Sequence, residues 1–285
     1  MHPNSLTWKI LEFYGTRVPH RGKWKIHAFL RSLLHLHHDG DLQVRRQGLL
    51  WTLNPADFVQ THLYWTNEYE PWDLFHLRRW AHPGSVILDV GANFGYYSLK
   101  LASALRGEGR VFAFEPSSAI FSRLEQNIRL NCLESLVTAI RSGLSDDVGF
   151  AHLEQCEANS GAATLSMEGK GERIVLDTLD NFCETQKISK FNLIKIDVEG
   201  NELRVLRGGT RVFASHKPII MLEFNTSALN RLGTTVEELS DQLMTWDYGL
   251  FAAKRGTLAP FRLRRSVPTM RNVFCIPKAK MNAAL

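Results

Sequence analysis

The sequence predicts an α/β fold, a mostly parallel sheet covered by helices on both faces, and three observations carry that expectation. From residue 83 onward, short apolar and β-branched runs alternate with stretches of helical period; strands buried on both faces read this way. A turn bearing Gly91 and Gly95 follows the first run at once, which lets a backbone approach a ligand closely. Hydrophobic residues make up 44% and charged residues 22% of the 285 positions, a balance that excludes disordered and fibrous chains.

In chain order, residues 1–82 form a helical, aromatic-rich extension or lid, and residues 83–285 form the sheet domain. From Trp24 to His38, Ile26, Phe29, Leu30, Leu33 and Leu34 recur at helical spacing, with His27, Arg31, His35 and His38 opposite them. The pattern predicts a helix packed through its apolar stripe with a solvated basic face; it also suits contact with an anionic membrane surface. His35, His37, His38, Asp39 and Asp41 show no diagnostic ligand spacing, so no metal is expected. Trp51, Phe58, Tyr64, Trp65, Tyr69, Trp72, Phe75 and Trp80 crowd the next segment, and burial of large rings is the expected use of most of them.

After Pro83 and Gly84, strands are predicted over 86–90, 111–114, 137–140, 193–197 and 219–224, with helices over 96–105, 119–130 and 201–206. Residues 147–176 are polar and glycine-bearing with alternating segments, which reads as a hairpin insertion. Weaker runs near Leu250 and over 272–276 would close the sheet at one edge.

Charge is segregated along the chain. Residues 1–48 carry 8 Lys and Arg against 3 Asp and Glu, residues 49–251 carry 18 against 26, and residues 252–285 carry 8 against none. The net +5 therefore belongs to the ends, and the acidic middle repels phosphate, which makes nucleic acid an unlike partner for the site. Cysteines 132, 156, 183 and 275 form no C-x-x-C pair, suggesting neither a disulfide framework nor a zinc knuckle. No apolar run approaches the roughly 18–20 residues of a membrane span. Lys9 and Glu12 interrupt the segment where a leader's apolar stretch would lie. A cytoplasmic protein is expected, with peripheral contact at the inner membrane face left open, as is its oligomeric state.

The turn after the first strand reads Gly91, Asn93, Gly95 and departs from the G-x-G-x-x-G pattern of a dinucleotide cradle. The second strand ends in Phe114, Glu115 and Pro116. A carboxylate at Glu115 can accept from both ribose hydroxyls, and Asp89 before the glycines suits a cationic group over a phosphate. Together these features favour S-adenosylmethionine over NAD or ATP.

Four separated motifs then resemble the FkbM family of S-adenosylmethionine-dependent methyltransferases: D-V-G-A-N-F-G-Y-Y-S from Asp89 to Ser98, F-E-P from Phe114 to Pro116, Leu124, Asn127 and Asn131 on the following helix, and I-K-I-D-V-E-G-N-E from Ile194 to Glu202. The acidic run from Asn67 to Glu70 is similar to the family's approach to the first strand. Phe94 stands where the family often has isoleucine, and Ser118 where a proline often follows. The resemblance implies a class I methyltransferase (Rossmann-like) sheet, O-methylation of a sugar, glycan or other small-molecule hydroxyl, and a cofactor site drawn from Asp89, Gly91, Asn93, Gly95, Tyr97, Ser98, Glu115, Pro116, Asp146 and Asp197.

A hydroxyl acceptor must lose a proton to a base within reach. Asp197 and Glu199 leave the carboxyl end of the fourth strand and Glu223 ends the fifth, where open sheets bind ligands. Asp197 is the first candidate for the base, with Glu199 and Glu223 as alternates. Lys195 shares a strand face with Asp197, so a structural ion pair is its other reading. RNA methylation is the competing activity, although base methyltransferases commonly carry an Asn/Asp-Pro-Pro-aromatic loop where this chain has Asp197, Val198, Glu199 and Gly200. A cofactor-binding module without catalysis is the third reading.

Overall fold

The computed structural model describes residues 5–20, 22–36, 38, 40–156, 159–166, 169–263 and 269–284. His37 and Asp39, named above among candidate metal ligands, lie outside them. The chain forms two compact units, Met1–Pro71 with Gln155–Ala162, and Trp72–Glu154 with Ala163–Leu285. The boundary falls at Pro71 where the sequence suggested residue 82, because the helix Pro71–Trp80 belongs with the sheet: His76 and Trp80 each set their rings 5.7 Å from that of Phe274.

In the first unit, helices α1 (Leu6–Arg17) and α2 (Lys23–Leu33) are followed by a hairpin of β1 (Leu42–Arg46) and β2 (Leu49–Leu53), then α3 (Phe58–Thr66). The expectation of a helical, aromatic-rich extension did not include this hairpin. Trp8, Trp51, Leu53, Leu63 and Trp65 fill the centre. Gly15 lets α2 approach α1 closely, since a Cβ there would lie 2.8 Å from His27.

The polarity of α2 is the reverse of the expected one. His27 is 0% exposed and Lys23 is buried, while Ile26, Phe29 and Leu33 are 45%, 65% and 60% exposed. Lys23 is held inside by a 3.3 Å hydrogen bond to the carbonyl of Thr66 and a 3.4 Å ion pair with Glu68. On α1, Leu6, Ile10 and Phe13 are exposed in the same way. Within the aromatic segment, Trp51, Tyr64 and Trp65 are core residues, whereas Phe58, Trp72 and Phe75 are exposed.

In the second unit, after α4 (Pro71–Trp80), come β3 (Val86–Val90), α5 (Tyr96–Ala102), β4 (Arg110–Phe114), α6 (Ser118–Leu130) and β5 (Val137–Ile140). The short β6 (Gly143–Leu144) joins β7 (Gly149–Cys156), β8 (Asn159–Ser166) and β9 (Glu172–Asp177) in a small four-stranded sheet, the expected insertion. There follow α7 (Leu179–Thr185), β10 (Leu193–Ile196), α8 (Glu202–Gly208), α9 (Thr210–Ser215), β11 (Ile219–Asn225), α10 (Thr226–Arg231), α11 (Val236–Thr245), β12 (Tyr248–Lys254), β13 (Thr257–Pro260) and β14 (Met270–Pro277).

The main sheet has the order β13-β12-β14-β11-β10-β3-β4-β5. Its β5, β4, β3, β10 and β11 run parallel, and β14 is antiparallel to both its neighbours, which is the mostly parallel sheet expected. Edge strand β13 carried no clear signal in the sequence. The chain leaves β3 toward one edge and β10 toward the other, so the switch point lies between them, where open α/β sheets hold ligands. Among the described residues no helix is long and apolar enough to cross a membrane.

Candidate active site

The carboxyl ends of β3 and β10 meet at Gly91. Its φ is 76°, and a Cβ there would fall 1.9 Å from the carbonyl oxygen of Asp197. Only glycine permits both the left-handed backbone and that approach.

Below the loop lies a buried charge network. Lys195 pairs in register with Asp89 across the parallel strands, and its Nζ is 3.3 Å from Asp89 Oδ1 and 3.7 Å from Asp197 Oδ2. The same ammonium donates to the carbonyl of Gly91 at 2.6 Å, while Asp89 Oδ2 accepts from Ser98 Oγ at 2.6 Å. Asp89 is 0% exposed, so its charge is met inside the protein by Lys195. The lysine's structural reading is thus present in the geometry, and it ties the glycine loop to the sheet. Tyr97 offers its ring to the same ammonium, 5.7 Å away.

The family-like residues of α6 also act on the loop. Asn127 is buried and donates from Nδ2 to the carbonyl of Phe94 at 2.9 Å, and Asn131 donates to the carbonyl of Asn127 at 2.8 Å. Leu124 packs where a Cβ on Gly95 would lie 2.7 Å from it. At Ser118, where proline is common, the backbone N–H donates to both carboxylate oxygens of Glu172 at 3.0 and 3.1 Å. A proline would leave that carboxylate without its donor.

Glu115 stands at the end of β4, 6% exposed, accepting from the backbone N–H of Ser117 at 2.9 Å and of Asn93 at 3.0 Å. Burial pushes its pKa up to about 7, against the pull of those two amides. A carboxylate offers about four acceptor positions, so two remain for other donors. Pro116 follows it, and Asp146 accepts from Ser145 Oγ at 2.9 Å and lies 3.9 Å from Arg204 Nη1.

Beyond β10 the chain turns through Glu199 at φ 53° and Gly200 at φ 107°. Glu202, 0% exposed, holds this turn: its Oε1 accepts from the N–H groups of Val198 and Gly200 at 3.0 and 3.2 Å. The turn brings Asp197, Glu199 and Glu223 together, with one carboxylate oxygen of each within 4.8 Å of the others. Burial, then the neighbouring carboxylates, raise Glu223 to about 9 and Glu199 to about 7. Like charges this close cannot all ionise, so the cluster retains a proton at neutral pH. Its spacing is also one at which three ligands could hold a cation.

A profile of the methyltransferase FkbM domain matches residues 89–250, more than half of the chain and all of the geometry just described. The chain belongs to the FkbM family of methyltransferases. Its methyl donor is S-adenosylmethionine. The hexuronic acid methyltransferase AglP of Haloferax volcanii is 33% identical over 144 residues, 50% of this chain and 56% of AglP. Methyltransferase sdnD of Sordaria araneosa is 28% identical over 43% of this chain and 59% of its own length. The chain thus spans less than two thirds of the length of these two relatives. The FkbM methyltransferase of Methylobacillus flagellatus superposes with a TM-score of 0.46 at 17% identity, covering 68% of this chain and 44% of that one.

The structure unites Asp89, Gly91, Asn93, Gly95, Tyr97, Ser98, Glu115, Lys195 and Asp197 around one loop, and sets Glu199 and Glu223 beside Asp197. Sequence reasoning passed over the role of Glu202 as the brace of the turn. An acid two residues after a glycine was the available signal.

Proposed function

We propose that this chain transfers the methyl group of S-adenosylmethionine to a hydroxyl oxygen of a sugar or glycan, with Asp197 accepting the hydroxyl proton. The observation that carries the reading is the three-carboxylate cluster at the ends of β10 and β11 beside the lysine-tied glycine loop. The site fits the cofactor: Gly91 lets the loop close against the backbone of Asp197, and Glu115 retains acceptor positions for ribose hydroxyls. When bound, the cofactor supplies an electrophilic methyl group on a sulfonium.

The protein's own part is positioning and proton acceptance. Lys195 and Asn127 fix the loop, which orients the donor against the acceptor, the step in which much of a displacement's rate lies. Asp197, ion-paired with Lys195 and partly open to solvent, takes the proton. Glu223 and Glu199 hold the cluster's shared proton. No metal takes part in this reading, so a chelator leaves turnover unchanged; loss restored by added magnesium would turn the cluster into a cation site.

The sugar class is supported by the name of the relative AglP. A hexuronic acid has a carboxylate as well as hydroxyls, and three acidic side chains repel the carboxylate, which favours the hydroxyl. The test is transfer of a labelled methyl group to a uronate-bearing glycan, a neutral glycan and RNA. Label on glycan that survives mild alkali is an ether and supports the reading; alkali-labile label is a methyl ester and overturns it, as does label on RNA alone.

The exposed apolar residues of α1 and α2 favour one further partner. Leu6, Ile10, Phe13, Ile26, Phe29 and Leu33 are exposed beside the exposed cations Lys9, Arg17 and Lys25, and apolar groups flanked by basic ones complement an anionic membrane surface.

A further inference from the structure

The first unit contains a cavity of about 330 Å³ lined by residues of that unit alone, among them Trp8, Trp24, Arg31, His38, Thr61 and Trp65. Small-ligand pockets span about 300–1,000 Å³ and combine aromatic walls with a few placed polar groups. The guanidinium of Arg31 lies 5.6 Å from the ring of Trp24 and 5.5 Å from that of Trp65. Its Nη1 donates to Thr61 Oγ1, but its Nε is buried without a partner. Trp65 is 1% exposed, and its indole Nε1 is likewise buried without a partner.

Among the described residues no carboxylate pairs with Arg31, and burial pulls the guanidinium's pKa down with no anion opposing it. The lining residues named here include a fixed cation and no acid. A cation left in such surroundings is costly unless an anion completes it.

We propose that this cavity binds an anionic sugar. The Arg31 guanidinium meets its carboxylate or phosphate group, and the rings of Trp24 and Phe58 cover the apolar side of its ring. The sugar half of this ligand rests on the acceptor reading above, while the anionic half rests on Arg31.

Tryptophan emission of the full chain, titrated without cofactor, reads the site directly. Glucuronate, glucose 1-phosphate and glucose are the probes. Saturable quenching by glucuronate or by glucose 1-phosphate is expected, with glucose at least about tenfold weaker; which anion binds identifies the group as carboxylate or phosphate. Arg31→Gln should lower affinity by about 10- to 100-fold, the span of a charge-assisted hydrogen bond, with circular dichroism checking that the variant is folded. Should it unfold, the comparison of charged and neutral probes on the unmodified chain decides. Equal binding of glucose, no saturation by either anion, or unchanged affinity in a folded Arg31→Gln overturns the proposal. Anion-dependent sugar binding alongside methyl label on RNA alone overturns the acceptor reading and leaves this pocket standing.

Discussion

Lys195 and His27 are equally hidden, one in each unit, and the protein treats them oppositely. Around Lys195 stand Asp89, Asp197 and the carbonyl of Gly91, so its charge is matched and put to use in holding a loop. His27 sits between Tyr14 and Trp65, and burial together with Arg31 pushes its pKa down to about 4. His62 in the same unit is pushed to about 4 by the same causes. The sheet unit uses its buried ion pair to hold the glycine loop, whereas the first unit, which pairs Lys23 with Glu68, excludes charge from its histidines and, among the described residues, gives Arg31 no carboxylate. Around Lys195 the pairing pins a site, and around Arg31 the position for an anion stands open.

The largest effect should come from breaking the matched pair. Lys195→Met leaves Asp89 buried without its cation and should cost about 3–5 kcal/mol of stability in denaturant titrations. His27→Phe removes no partnered charge and should change stability by well under half as much. If the two variants are equally destabilised, the contrast between the units fails.

Cofactor binding supplies the next test. Glu115→Ala should weaken binding by about 1.5–3 kcal/mol in calorimetry. Because burial raises Glu115 to about 7 and ribose hydroxyls donate to its ionised form, affinity in the unmodified chain should rise as pH increases from 6 to 8. Glu115→Gln should flatten that rise.

Opposite pH responses sharpen the comparison further. His27 and His62 have folded values below the unfolded 6.5, so their contribution is present above pH 6.5 and is lost as pH falls toward 4. Glu199 and Glu223 have folded values above the unfolded 4.5, so theirs is present below pH 4.5 and is lost as pH rises toward 7 and 9. Hydrogen exchange should therefore show α2 and α3 loosening in acid and the ends of β10 and β11 loosening in alkali. Glu223→Gln should suppress the alkaline loss.

The smallest structural effect is expected at the surface of α1 and α2. Phe13→Ser with Phe29→Ser should leave stability within about 0.5 kcal/mol per site, yet abolish sedimentation with anionic vesicles. Retained sedimentation would leave the membrane reading without support.

The same contrast explains what the sequence could disclose. Strands β3, β4, β5, β10 and β11 were legible because burial on both faces leaves an uninterrupted apolar run, and the loop was legible because Gly91 and Gly95 answer a backbone demand that no other residue meets. Helix α2 was legible as a helix but not in its orientation. Periodicity marks two faces and does not say which one turns inward, and Lys23 and His27 find their place only against Thr66, Glu68 and Trp65, some forty residues away. The cavity around Arg31 was invisible for the same reason: its walls come from α1, α2, α3 and the loop residues Leu36, His38, Pro55 and Ala56, and share no local motif.

Turnover in Asp197→Asn is the measurement that bears most directly on the site as proposed. The substitution keeps the shape of the side chain and removes its ability to accept a proton. With a sugar acceptor, kcat should fall by about 100- to 10,000-fold, the span of lost general-base catalysis, while cofactor affinity changes by less than about tenfold. Turnover within about twofold of the unmodified chain would contradict the assignment of Asp197 as the base.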